Sequence, residues 1–299
     1  DGKLITRIKS PHIPYVMDRL VRFGAPSEIK YLANPHVGSD RIRRVIPNLR
    51  QYLETNGCEM HFDTPMQDLL VSDQQNTRQV IGVRSRDSRE FFAKHVILAT
   101  GHSAEDIFSM LEQKQVFMEG KSFALGLRIE HPQAQINRIQ YRKHAERTEL
   151  GAANYKLAEH DHASGVGVYS FCMCPGGFVL SSGTEADGIV CNGMSNYNRN
   201  SPFANSAMVV SVQHEKLFGS DLFGGMKFRK ALEQDALKRV RQVGGTKHLP
   251  AQRVVDFLKG RLGPANKSSS PSGVVPVRLD ELLPKEFTQY LRQSLEVYK

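Results

Sequence analysis

The spacing of apolar residues along the chain alternates between helical and extended periods. Val16, Leu20 and Phe23 recur at helical spacing before Gly24, and Ile42, Val45, Ile46, Leu49 and Leu53 do so between Ser39 and Gly57. This predicts helices over 15–23 and 39–57, the second with Ser39 as N-cap and Gly57 as its stop. Residues 58–72 read as extended chain, 79–84 and 90–99 as two further strands, and the polar stretch 73–78 as the turn between the first two. The apolar run Val96-Ile97-Leu98-Ala99 then stops at Thr100-Gly101, and Ser103 opens an amphipathic segment with Asp106 three residues on. Strand, tight turn and capped helix are expected over 95–111. Small residues at such a turn admit a ligand to the backbone, and the helix start offers unpaired N–H groups.

From about Phe117 the texture changes to short strand-like runs with frequent Gly and His. Strands are expected at 123–130, 165–173, 178–182 and 188–191, and helices at 205–218 and 226–243. The second helix carries Phe228, Leu232, Ala236 and Val240 on one face. Residues 266–273, NKSSSPSG, read as a loop, and Pro284 starts a final helix with Phe287, Leu291, Leu295 and Tyr298 on one stripe. There is no internal repeat. The fold class predicted is α/β plus α+β, with a partial α/β domain over 1–116, a β-rich domain over 117–283 and a last helix at 284–299 returning to the first.

Composition narrows the class without naming a function. The chain has 299 residues, 40% hydrophobic and 24% charged, which describes a globular protein of one large or two ordinary domains. No apolar run approaches the ~18 residues that a membrane span requires, and Asp1 opens a polar segment unlike a signal peptide. Cys58, Cys172, Cys174 and Cys191 lack the spacing of a disulfide framework or a zinc knuckle, so no metal is expected and the reading is cytoplasmic. The net charge of +9 suits anionic small molecules. No aromatic-interleaved basic motif supports a nucleic-acid role.

The candidate chemistry lies mostly in the second part. Cys172-Met173-Cys174 runs into Pro175-Gly176-Gly177, a turn that can approach a ligand closely. Two cysteines one residue apart on a strand point to opposite faces, so buried structural thiols are expected. A relay of electrons to a cofactor would want a wider spacing. Arg128, Glu130 and His131 are candidates for a substrate-binding cation and an acid/base, against the plainer reading of Arg128 and Glu130 as an ion pair on a β-surface. Asn192, Asn196, Asn198, Asn200 and Asn205 either read a polar substrate or form turns. His102 either faces a ligand, or caps the helix or lies at the surface.

Seven stretches in order carry a family resemblance: DGKLITRIK at the start, PHVGSD at 35–40, ILATGHSAEDIFSML at 97–111, GLRIEHPQ at 126–133, YSFCMCPGG at 169–177, NGMSNYNRNSPFANSA at 192–207 and LPAQRVVDFL at 249–258. The chain resembles the FAD-dependent dehydrogenases often described as NAD(FAD)-utilising dehydrogenases. That implies FAD as cofactor, NAD(P)H as a partner in electron transfer, and a glutathione-reductase-like FAD domain with a β-meander and an inserted substrate domain. It also implies that Asp1, Gly2, Lys3, Met66, Ala99, Thr100, Gly101 and His102 face the cofactor. Lys3 would sit near the flavin N1 and C2 carbonyl, and Cys172, Cys174, Pro175, Gly176, Gly177 and Asn205 on the side of a small-molecule substrate.

The family's G-x-G-x-x-G fingerprint does not occur; GVGVYS at 165–170 lacks both its spacing and a following helix. The chain therefore reads as the middle of a flavoprotein, expected to hold FAD weakly and to be inactive by itself, with open sheet edges that favour a homodimer. The alternatives are an RNA-modifying type of flavoprotein and a non-catalytic interaction module.

Overall fold

The computed structural model describes residues 2–6, 8–74, 77–161, 165–183 and 187–298, so Asp1 lies outside the described residues. In chain order the elements are α1 (Ile13–Arg22), α2 (Ser39–Thr55), β1 (Met66–Gln74), β2 (Thr77–Ser85), β3 (Glu90–Phe92), α3 (Glu105–Gln113), β4 (Phe123–Pro132) and α4 (Gln133–Tyr141). Then come β5 (Ala158–Asp161), β6 (Val166–Cys174), β7 (Gly177–Ser181), β8 (Cys191–Ser195), β9 (Phe203–Val212), α5 (His214–Phe218) and α6 (Gly224–Gln242). The chain closes with β10 (Leu249–Ala251), α7 (Val254–Lys259), β11 (Val274–Pro276) and α8 (Lys285–Val297). The architecture is mixed α/β with several antiparallel sheets, divided into two compact units: Asp1–Gln51 with Gly120–Lys299, and Tyr52–Glu119. Among the described residues no helix is long and apolar enough to cross a membrane.

The larger unit is built on an antiparallel sheet in the order β4-β9-β6-β5. Its central strand corrects the sequence reading, which expected a helix over 205–218: β9 is a strand, and only His214–Phe218 is helical. The run Ala207-Met-Val-Val-Ser-Val212 is apolar on both sides, and such a run fits either period. Three valines, Val209, Val210 and Val212, and ladders to β4 on one edge and β6 on the other decide for strand.

One face of this sheet is covered by α8. Phe287 and Leu291 pack with Val168, Met208, Val210, Val212, Phe257 and Leu283 in one core cluster, and Phe218, Phe228 and Tyr298 close its margin. The last helix, expected to return to the first domain, thus packs on this sheet. A separate cluster of Phe23, Ala25, Ile29, Val37 and Val45 joins α1 to α2. The hairpin β7-β8 begins at 191 on its second strand, where the sequence pointed to 188–191.

The smaller unit is the antiparallel meander β1-β2-β3, with Ile107 and Met110 of α3 packed on Leu69. The meander was expected, but its third strand stops at Phe92, and residues 93–104 form no ladder. Ile97 is 90% exposed, and Leu98 and His95 are exposed with it. An apolar run becomes a strand only where an edge is offered to it, and among the described residues none pairs with this one. Ala104, not Ser103, is the N-cap of α3, and it makes no side-chain cap bond.

Candidate functional site

Strand β6 follows β9 in register from Val168 opposite Val210 to Phe171 opposite Ala207, and resumes at Cys174 opposite Asn205. Cys172 and Met173 therefore stand opposite Ser206 alone, a bulge with Cys172 at φ +52°. This corrects the expectation that the two sulfurs point apart. Lys3 Nζ lies 3.2 Å from Cys172 Sγ, 3.1 Å from Cys174 Sγ and 2.7 Å from the Met173 carbonyl oxygen, to which it donates. Lys3 is held there by a bridge to His36, with Val37 N donating to Gly2 O at 2.9 Å and Leu4 N to Pro35 O at 3.0 Å.

The two thiols are unequal. Cys174 is fully buried and Cys172 half-buried. Cys174 Sγ donates to the Cys172 carbonyl at 3.3 Å, and the Cys174 thiol beside it, with the charges of Lys3 and Arg128, holds Cys172 well below the usual thiol range against the effect of burial. Cys174, as the donor and buried, is pushed up.

Arg128 on β4 completes the wall. Its Nη1 donates to Asn205 Oδ1 at 2.7 Å and to the Cys172 carbonyl at 3.5 Å, and its Nη2 to Asn192 Oδ1 at 3.2 Å. The expected pair with Glu130 does not form. Glu130 instead accepts from the Ser269 amide at 2.9 Å and from its hydroxyl. Gly193 makes the crossing possible, since a Cβ there would stand 2.2 Å from Asn205 Oδ1 and 2.3 Å from Arg128 Nη1. Asn205 is fully buried, and its Nδ2 has no hydrogen-bond partner. Half-buried Arg199 adds a further cation, its pKa lowered by burial and supported by Cys174.

His131 borders the cluster from the other side of β4. Its Nε2 is 2.6 Å from Tyr155 Oη, and Ser206 and the charge of Arg128 oppose the upward push of burial on the Tyr155 hydroxyl. Burial pushes His131 down to about 4 and Tyr155 up to about 12, so both are neutral at neutral pH. His36 is likewise lowered to about 4, by burial first and then by Arg199 and Lys3, with Asp40 opposing. Its Nε2 is buried without a partner. The turn expected at Pro175-Gly176-Gly177 is present: Gly176 N donates to Gln133 Oε1 at 2.7 Å, and Ser195 Oγ to the Pro175 carbonyl at 2.9 Å.

The larger unit thus brings together Lys3, Arg128, Cys172, Cys174 and Asn205, with Gly2 and Pro175–Gly177 as their supports. In the smaller unit Ala99, Thr100, Gly101 and His102 are all exposed, Gly101 at φ +81°. Met66 is half-buried against the Leu69, Ile107 and Met110 cluster. Sequence reasoning missed His36 and Arg199. Both lie within stretches that carry the family resemblance, but nothing in their spacing signals a place beside two thiols. No group of three or more His, Cys, Asp or Glu among the described residues is arranged to hold a metal ion.

Residues 122–299 match the family described as FAD-dependent protein, C-terminal domain-like. The chain belongs to that family. An uncharacterised protein of Clostridium beijerinckii is 37% identical to it over 298 residues, 99% of this chain and 54% of that protein. The chain spans about half the length of the curated relative it matches.

The buried histidines have a consequence for stability. The unfolded chain takes protons on His36 and His131 near pH 6.5, while the folded chain resists until about 4. Between those values the unfolded state binds more protons, so stability falls as pH drops through that window and is whole above it. Discounted for partial exposure, the loss by about pH 5 is on the order of 1 kcal/mol for each histidine. Carboxylates such as Asp256 and Asp280, lowered from 3.8, act below the window. Urea unfolding at about pH 7 and about pH 5 checks this, and His131→Gln should flatten the difference.

Proposed function

We propose that the protein is an FAD-dependent oxidoreductase whose substrate meets the cofactor at the cluster of Lys3, Arg128, Asn205, Cys172 and Cys174. The observation that carries this reading is the imbalance of the cluster. Among the described residues, Arg128 is met by neutral amides and a carbonyl and forms no ion pair with a carboxylate, and the buried Asn205 amide is a donor without an acceptor. Such a set fits an electron-rich partner, either the pyrimidine edge of a flavin or the carboxylate of a substrate. FAD, when bound, supplies hydride and electron transfer that no side chain provides.

The chain's own residues do the positioning. Lys3 is a fixed positive charge that favours negative charge developing beside it. Arg128, aimed by Asn192 and Asn205, orients an anionic group in two-point fashion. Tyr155 and His131 form a neutral pair at neutral pH that can hold or pass a proton at the Tyr155 oxygen. In the smaller unit, Met66 and Ala99–His102 are proposed cofactor contacts on the family resemblance. NAD(P)H as electron donor, a glutathione-reductase-like FAD domain and a cytoplasmic location complete the proposal, the last supported by four cysteines that form no disulfide among the described residues.

The test is a visible spectrum of the full-length protein, followed by anaerobic addition of NADH and NADPH. A yellow protein bleached by one of the two is expected. A protein that takes up no FAD at saturating concentration would overturn the reading.

A further inference from the structure

We infer that Cys172 and Cys174 form a thiol–disulfide exchange pair, with Cys172 as attacking thiolate and Cys174 as resolving thiol, acting on a small disulfide that carries carboxylates. The inference is independent of the flavin reading, because it rests on the bulge and the charges around it.

Three observations converge. The bulge places the two sulfurs on one side of β6, each in contact with the same ammonium group, and Cys174 Sγ lies 3.3 Å from the Cys172 carbonyl oxygen. Cys172 is half-buried and reachable, whereas Cys174 is fully buried behind it, the arrangement an attacking and a resolving thiol need. The surrounding charge is positive from every element that contributes: Lys3 from the N-terminal segment, Arg128 from β4, and Arg199 from the loop before β9. The other titratable groups nearby are His36, kept neutral, and Cys191, raised by burial beside Arg128. A disulfide bearing carboxylates would be drawn to the cations that stabilise the thiolate.

The exchange balances without an outside oxidant. The Cys172 thiolate attacks one sulfur of R–S–S–R, the S–S bond breaks, and R–S⁻ leaves. Cys174 then attacks the Cys172 sulfur of the mixed disulfide, its proton passes to the departing sulfur, and the second group leaves as R–SH as the Cys172–Cys174 bond forms. The protein dithiol is oxidised, and the small disulfide is reduced to one thiol and one thiolate.

The probes are dithiobis(nitrobenzoate), an anionic aromatic disulfide, and dithiodipyridine, which carries no carboxylate. With the reduced full-length protein at about pH 6, Cys172 should react at least ~10-fold faster than exposed Cys58, because an ordinary thiol is almost wholly protonated there. The anionic probe should release both of its thiolates, leaving no adduct and a Cys172–Cys174 disulfide visible in peptide masses. Cys174→Ser should stop after one thiolate and keep the mixed disulfide on Cys172. Cys172→Ser should lose the fast phase, and Lys3→Met should slow it and move its pH midpoint upward. Arg199→Ala should reduce the preference for the anionic probe. Cys172 reacting no faster than Cys58, or a wild-type protein that keeps the probe as a stable adduct, would overturn the inference. The peptide mapping is done on the wild type, so it stands even where a variant fails to fold.

Discussion

Replacing Gly176 with alanine is expected to cost about 4 kcal/mol or more of folding stability. Gly176 sits at φ +48°, a left-handed conformation that costs an L-residue about 1–2 kcal/mol. The larger penalty is steric. A Cβ there would stand 1.7 Å from the Arg199 carbonyl oxygen and 2.1 Å from its carbon, and both atoms belong to a backbone that cannot rotate away. Separating the two segments would also loosen the bond from Gly176 N to Gln133 and the one from Ser201 N to Gly176 O at 3.2 Å. These add about 1 kcal/mol each, with more if Gln133, itself buried, is left unpaired. Gly244 is the control: it has φ +79° but nothing within 4 Å of its Cβ position, so Gly244→Ala should cost only about 1 kcal/mol. Urea midpoints of the two variants decide the matter. Equal losses would mean that the close approach at Gly176 contributes nothing.

The same turn links stability to the site. It follows directly on Cys174 and packs on Arg199, so a displaced turn should also move the thiol and the cation. A Gly176→Ala protein that still folds in the cold is expected to lose the fast thiol phase, while Gly244→Ala keeps it.

Much of the fold was legible because local pattern and final packing agree. Helix α8 was readable from Phe287, Leu291 and Leu295, and the same residues meet the sheet. The hairpin β1-β2 was readable from alternation around a polar turn. Strand β9 was not, since Ala207–Val212 is apolar at every position but Ser211, and only its two neighbours in the sheet choose the period. The run before Thr100 misled for the opposite reason: its sequence is a good strand, but among the described residues no partner strand accompanies it. At the site, residue types were legible and their meeting was not. Arg128, Cys172, Cys174 and Asn205 stood out as chemistry, whereas a one-residue bulge turned the two sulfurs to the same lysine. Lys3 was singled out through the family resemblance alone, and its place beside residues far along the chain is set by the bridge to His36 and the backbone bonds that flank it.

If Lys3 and its cluster form the reacting site proposed for an FAD-dependent oxidoreductase, the potential of the bound flavin depends on Lys3. A fixed ammonium beside the flavin stabilises the anionic reduced form, and a hydrogen bond to a charged group is worth about 1.5–3 kcal/mol. For a two-electron couple this corresponds to about 30–60 mV. The measurement is the midpoint potential of FAD bound to the full-length protein, compared with Lys3→Met. A potential lower by about 30–60 mV is expected in the variant, with FAD still bound. An unchanged potential in a folded, FAD-loaded Lys3→Met protein would contradict it.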